Sequence, residues 1–245
     1  MPAAIITGGG VRIGGAFACH LADRGYDIAL LYHSSGQAAE KTLDKVNKCG
    51  VRGIGYACDF KNLGEVETLI GKISADFPET SLLINSAANF IQEDIEHTSA
   101  QSILDTFNIN LLSPYLLMRE YRKHFNRGMI VNILDERINR NVPTFAAYSV
   151  SKAGLAHLTR LGAVEWGDRI RVNGIAPGLI LPPAGGPGDY LERGAKKIPV
   201  RRHGHIEDLL KGLDYLIDSP FVNGEILFID GGESIGSAYP FRPEA

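Results

Sequence analysis

AAIITGGGVRIGG, residues 3–15, is the stretch whose reading decides the fold. Ala3 to Thr7 is a short apolar run, three glycines follow, and an amphipathic stretch from Arg12 to Arg24 begins directly after them. That is a buried strand, a tight turn and a helix. Moving outward, Ile28 to Tyr32 and Gln37 to Lys48 repeat the pattern. Further apolar runs lie at Arg52 to Ala57, Ser81 to Asn85, Met129 to Leu134, Arg171 to Ile175 and Ile226 to Ile229. These seven runs are continuous in Ile, Val and Leu, which calls for burial on both faces, as in a parallel sheet covered by helices. The expected architecture is α/β, an open, doubly wound parallel sheet of about seven strands with helices on both faces.

Helix ends are marked by Gly25, Gly50 and Gly167, and a helix start by Thr144 before Phe145. No linker divides the chain, so residues 1–245 are expected to form one domain. PGLILPPAGGPG, residues 177–188, holds too much Pro and Gly for a regular element. Its place just after a strand favours a lid, extending to about residue 198, over a disordered segment. The tail, residues 235–245, is expected to fray.

Composition narrows the function classes. The chain has 245 residues, 44% hydrophobic and 22% charged, which suits a globular protein with a large core. Its 25 basic and 28 acidic residues give a net charge of −3 without long blocks, so a nucleic-acid or anionic-membrane surface is not expected. The three cysteines, Cys19, Cys49 and Cys58, form no close pair, so neither a disulfide framework nor a metal site is read, and a reducing cytoplasm is expected. No run is long enough to span a bilayer. The 28 glycines exceed the usual share of roughly 7% and must serve turns and close backbone approaches.

The glycine loop carries the first chemistry. Gly8 and Gly14, with Arg12 and Ile13 between them, sit where free N–H groups at a helix start face a pyrophosphate. The second strand ends in Tyr32-His33-Ser34-Ser35 without the carboxylate that holds an NAD ribose, and Asp27 lies at the strand's other end. NADPH/NADP is therefore expected over NAD, with Arg12, His33 and Ser34 able to donate to a 2′-phosphate; the alternative is that His33 and Ser34 form a solvated turn. Tyr148 and Lys152 lie four residues apart on one helix face, where the ammonium is expected to draw the phenol toward its working range.

These residues acquire weight together. The glycine loop, Asn85-Ser86-Ala87-Ala88, Asn110 in FNINL, Tyr148 with Lys152, NGIAPG at residues 173–178 and FIDGG at residues 228–232 stand in the order found in the classical short-chain dehydrogenase/reductase family, which the whole chain resembles. The resemblance implies a Rossmann-type sheet and a homotetramer or homodimer. It assigns Tyr148 as acid/base, Lys152 to the nicotinamide ribose and Asn110 to a water relay. Asp59 and Phe60 would meet the adenine, Asn85, Ser86 and Ala87 would line the cofactor cleft, and Pro177, Gly178 and Leu179 would meet the nicotinamide end.

Three departures refine the resemblance. Arg12 stands where a motif glycine is usual, Asp135 stands thirteen residues before Tyr148 in place of the usual serine, and Asn85-Ser-Ala-Ala is followed by Asn89-Phe90. With the run PGLILP at residues 177–182, they look like the pteridine reductase branch, including dihydropteridine and dihydromonapterin reductases. That branch implies a pterin or dihydrofolate-like substrate stacked on Phe90, Arg12 touching phosphate and the pterin's polar edge, and Asp135 with Tyr148 delivering a proton to ring nitrogen. The physics is compatible: a neutral serine suits a developing oxyanion, whereas a carboxylate suits an imine nitrogen that needs a proton. The competing readings are a carbonyl reductase of 3-oxoacyl thioesters or sugar ketones, and an NADP-binding sensor without turnover, in which Asp135 is inert.

Other features read as structure. Lys196, Lys197, Arg201, Arg202 and His203 read as a solvated basic face, Trp166 as packing, and Cys19 as a small hydrophobe. Tyr239, Phe241 and Arg242 in the tail are candidates for closing a neighbour's site in an oligomer.

Overall fold

A computed structural model describes residues 1–183, 185 and 187–238. Seven strands form one parallel sheet in the order β3-β2-β1-β4-β5-β6-β7. The strands are β1 (Ala3–Thr7), β2 (Asp27–Tyr32), β3 (Gly53–Ala57), β4 (Thr80–Asn85), β5 (Gly128–Ile133), β6 (Ile170–Pro177) and β7 (Ile226–Ile229). Between them run α1 (Arg12–Asp23), α2 (Gly36–Lys48), α3 (Leu63–Asp76), α4 (Ala100–Phe107), α5 (Ser113–His124), α6 (Ala146–Trp166), α7 (Tyr190–Ala195) and α8 (Ile206–Asp218). The order reverses between β1 and β4, and at such a point the two connections leave on opposite faces and open a crevice beyond the strands' carboxyl ends.

Alternation along each strand builds two cores. Ala4, Ile6, Ile28, Leu30, Leu82 and Ile84 pack with Phe17, Leu21, Val46, Leu213 and Leu216 of α1, α2 and α8. Their neighbours Ala3, Ile5, Ala29, Leu31 and Leu83 pack with Val66, Ile70, Ile73, Leu117 and Tyr121 of α3 and α5. Successive strand residues face opposite sides, so a strand apolar at every position must be covered twice. The expectation of burial on both faces holds for the central strands, while edge strands β3 and β7 are partly exposed. Among the described residues no helix is long and apolar enough to cross a membrane.

Two local readings change. The helix expected to begin after Thr144 begins at Ala146, because Pro143–Phe145 form a separate 3₁₀ turn and the Ala146 N–H donates to the carbonyl of Glu93, 3.0 Å away. The start is thus capped from across the fold. Gly25 and Gly50 take the left-handed conformation of helix ends, but Gly167 remains helical, at φ −59°. The Pro- and Gly-rich stretch of residues 177–188 has no helix among its described residues, and α7 follows it within the segment reaching to residue 198. Tyr239, Phe241 and Arg242, with Gly186 of the lid, lie outside the described residues.

Candidate active site

The crevice at the reversal is a cleft of about 1140 Å³. Its floor is tied at Thr7, the last residue of β1, whose buried hydroxyl accepts from the N–H groups of Ser86 and Ala87 at 2.9 Å each. Gly8, at φ +64°, turns the chain so closely past Ala87 that a Cβ would lie 3.0 Å from its Cα. At Gly14 a Cβ would lie 2.3 Å from the Gly8 carbonyl oxygen. The loop and the start of α1 therefore lie backbone against backbone, which leaves room for a diphosphate at the helix start.

Most of the predicted site residues line this cleft: Gly8, Arg12, Ile13, Gly14, His33, Ser34, Asp59, Phe60, Ser86, Ala87, Phe90, Asp135, Tyr148, Lys152, Pro177, Gly178 and Leu179. Asn85 and Asn110 do not. Asn85 donates to the Asn132 side chain at 2.8 Å within the sheet. Asn110, fully buried in the π-helical turn between α4 and α5, holds the backbone of Asn89 from both sides and donates to Ser151 Oγ. The Asn110 amide and the Asn85 amino group join elements that flank the cleft. Asp27 pairs with the Arg52 N–H at the opposite end of β2, so no carboxylate of that strand faces the ribose position.

Arg12 has φ 52°, the left-handed region that glycine enters without penalty. Its guanidinium donates to the Pro182 carbonyl at 2.8 Å, linking the glycine loop to the segment that follows β6. The basic run is not all solvated face, because Lys197, in the turn after α7, lines the cleft with Tyr190, Arg193 and Gly194.

At the cleft's inner end the Tyr148 hydroxyl donates to Asp135 Oδ2 at 2.8 Å. Lys152, 2% exposed, donates to the Ile133 carbonyl at 2.7 Å and lies 5.8 Å from the Tyr148 ring centre. Burial first, then the Asp135 charge and its hydrogen bond, push the Tyr148 phenol well above its ordinary value. This reverses the expectation that Lys152 draws it down: removal from water and a neighbouring carboxylate outweigh an ammonium aimed at a carbonyl. Burial lowers Lys152 itself to about 8. Phe90 stacks on Phe145 at 4.4 Å between ring centres and meets the Tyr148 ring edge-on at 4.8 Å.

Sequence reasoning missed a group of charges beside this pair. Arg137 bonds to Asp135, and Arg140 bridges Glu136 at 3.3 Å and Glu233 at 2.9 Å. Burial, with Glu233 and Asp135, pushes the Glu136 carboxyl up to about 7. Their only signal was the run Asp135-Glu136-Arg137, and Glu233 arrives from a turn nearly a hundred residues away.

The enoyl-(acyl carrier protein) reductase family model matches residues 10–234. An uncharacterized oxidoreductase of Bacillus subtilis, YhxC, is 30% identical over 239 residues, 94% of this chain and 83% of that protein. The crystal structure of FolM alternative dihydrofolate reductase 1 from Brucella suis, in complex with NADP, is similar with a TM-score of 0.91 and 28% identity over 97% of each chain. Acetoin dehydrogenase YohF from Salmonella typhimurium is similar with a TM-score of 0.88 and 25% identity over 96% of each chain. A family match over nearly the whole length, on this sheet order and with Tyr148 and Lys152 in one cleft, means that the chain belongs to the short-chain dehydrogenase/reductase family.

Proposed function

We propose that the protein is an NADPH-dependent reductase of the C=N bond of a pterin, such as a dihydropteridine, dihydromonapterin or dihydrofolate. The observation that carries this reading is the 2.8 Å hydrogen bond between Tyr148 and Asp135, a phenol paired with a carboxylate in place of a neutral donor. Supporting it, the similar Brucella suis structure is an alternative dihydrofolate reductase in complex with NADP.

The cleft residues fit a dinucleotide phosphate: Gly8 and Gly14 keep side chains out of the turn, and Arg12, His33 and Ser34 lie on the side where β2 offers no carboxylate. The reduced nicotinamide, when bound, supplies the hydride. Lys152, behind Tyr148, would hold the ribose hydroxyls of the bound dinucleotide. Phe90, 43% exposed, offers a flat apolar surface for the substrate ring. Tyr148 keeps its proton at neutral pH because burial and Asp135 oppose the phenolate. The pair supplies that proton to the ring nitrogen as the adjacent carbon gains hydride, and solvent then restores it. Asp135 would repel an oxyanion, which disfavours ketone substrates in this site.

The reading extends to assembly as a homodimer or homotetramer through α4 to α6, whose Leu104, Tyr115, Leu161 and Val164 are exposed.

The test is NADPH oxidation, followed by absorbance, with dihydrobiopterin, dihydromonapterin and dihydrofolate in parallel with a panel of ketones and 3-oxoacyl thioesters. Turnover of the dihydropterins, abolished in Asp135→Ser, is the expected result. Oxidation with ketones alone would leave a carbonyl reductase, as similarity to an acetoin dehydrogenase allows. Saturable NADPH binding without any turnover would leave a sensor.

A further inference from the structure

Arg137 is the side chain against which the Asp135–Tyr148 pair rests. Its Nη1 donates to both Asp135 oxygens, at 3.0 and 3.4 Å, and its backbone N–H donates to Oδ1 at 3.0 Å. Oδ1 is thus held twice by one residue. The carboxylate cannot rotate without breaking both bonds, and Oδ2 is left facing the Tyr148 hydroxyl. The guanidinium carbon also lies 4.9 Å from the Phe145 ring centre and 5.4 Å from that of Phe90. Arg137, 19% exposed, therefore stands between the acid and the paired rings. One guanidinium nitrogen, with the backbone N–H on the same oxygen, sets the carboxylate's direction, and the planar group can keep that aim while its face lies against an aromatic ring.

We infer that Arg137 is the positioning residue of the proton-delivering pair, fixing Asp135 so that Oδ2 meets Tyr148 and tying that geometry to the Phe90 surface. The inference rests on the proposed role of Asp135 and Tyr148. Charged and titratable groups reach this point from three elements. Glu136 and Arg140 share its own turn, Tyr148 and Lys152 come from α6, and Glu233 comes from the turn after β7. Within this set Arg137 opposes the upward push that Asp135 and Glu136 exert on the Tyr148 phenol, so its loss moves that phenol higher still.

The experiment is a double-mutant cycle on the full chain: wild type, Asp135→Asn, Arg137→Gln and the double variant, with Arg137→Lys as the conservative control. Arg137→Gln should lower kcat by about 10- to 100-fold, as misplacement of a proton donor does. It should move the alkaline limb of the pH profile upward and leave NADPH affinity within about threefold of wild type. Arg137→Lys should restore the pH limb and only part of kcat, because charge returns without the planar group held against the Phe145 and Phe90 rings. The double variant should be no slower than Asp135→Asn, since Arg137 acts through that residue. Multiplicative losses, or an Arg137→Gln enzyme with wild-type kcat and pH profile, would overturn the inference. Should the Gln variant not fold, wild-type kcat in the Lys variant overturns it equally. Wild type that reduces ketones and no dihydropterin refutes the proposed function instead. The cycle is then run on the ketone, where non-additivity supports Arg137 and additivity removes it.

Discussion

Truncating Phe90 to alanine isolates the substrate surface from the cofactor cleft. An aromatic side chain offers about 200 Å², and Phe90 is 43% exposed, so about 85 Å² remains to be covered by a ligand. At about 25 cal/mol per Å² this is worth about 2 kcal/mol, or about 30-fold in affinity. Phe90→Ala should therefore raise the Kd for a dihydropterin about 30-fold, measured by quenching of pterin fluorescence in the presence of NADP. The affinity for NADPH, measured from its own fluorescence, should stay within about twofold of wild type. The substitution also removes the stack on Phe145 at 4.4 Å, which contributes about 0.5–1.5 kcal/mol and will lower Tm. Phe145→Ala removes the same stack while leaving the Phe90 face in place, so it controls for lost stability. Equal weakening of pterin and NADPH in Phe90→Ala, or equal pterin loss in both variants, would refute the stacking surface.

Two further perturbations follow from the same site. Arg12→Gly removes a left-handed side chain that costs about 1–2 kcal/mol and an exposed hydrogen bond of about 0.5–1.5 kcal/mol, so Tm should barely move. Limited proteolysis within residues 177–198 should nevertheless accelerate, and an unchanged cleavage rate would show that the Pro182 link holds nothing. Burial lowers the folded Lys152 to about 8, whereas the unfolded amine titrates near 10.4, so between about pH 8 and 10 the unfolded chain binds the extra proton and this group's contribution to stability rises with pH. Below about pH 8 the penalty is fully present. The stabilisation of cofactor-free Lys152→Met over wild type should thus be largest below pH 8 and shrink toward pH 10 in denaturant titrations; a constant difference would contradict a buried ammonium.

How much was legible divides along physical lines. Strand positions and the glycine loop are written locally, because hydrophobic period and turn chemistry act over a few residues. Tyr148 and Lys152 are legible for the same reason, being four apart on one helix. The motif of Asn110 marks the turn between α4 and α5, while its contacts with Asn89 and Ser151 depend on distant elements that no local pattern announces. Thr144 failed as a helix start because the free Ala146 N–H found the distant Glu93 carbonyl.

The pattern of residues 3–15, repeated along the chain, was sufficient to specify a doubly wound sheet and the end of it at which ligands lie, since buried parallel strands joined by helices leave few other arrangements. That Asp135 stands beside Tyr148 was implied by the family resemblance and is met in the fold by a 2.8 Å hydrogen bond. The protonation behaviour of that pair did not follow from the sequence. It depends on how far each group is removed from water and on which charges converge from α6, the turn at Glu136 and the turn at Glu233. Those are sums over three-dimensional neighbours, and spacing along a chain contains neither the distances nor the burial that set them.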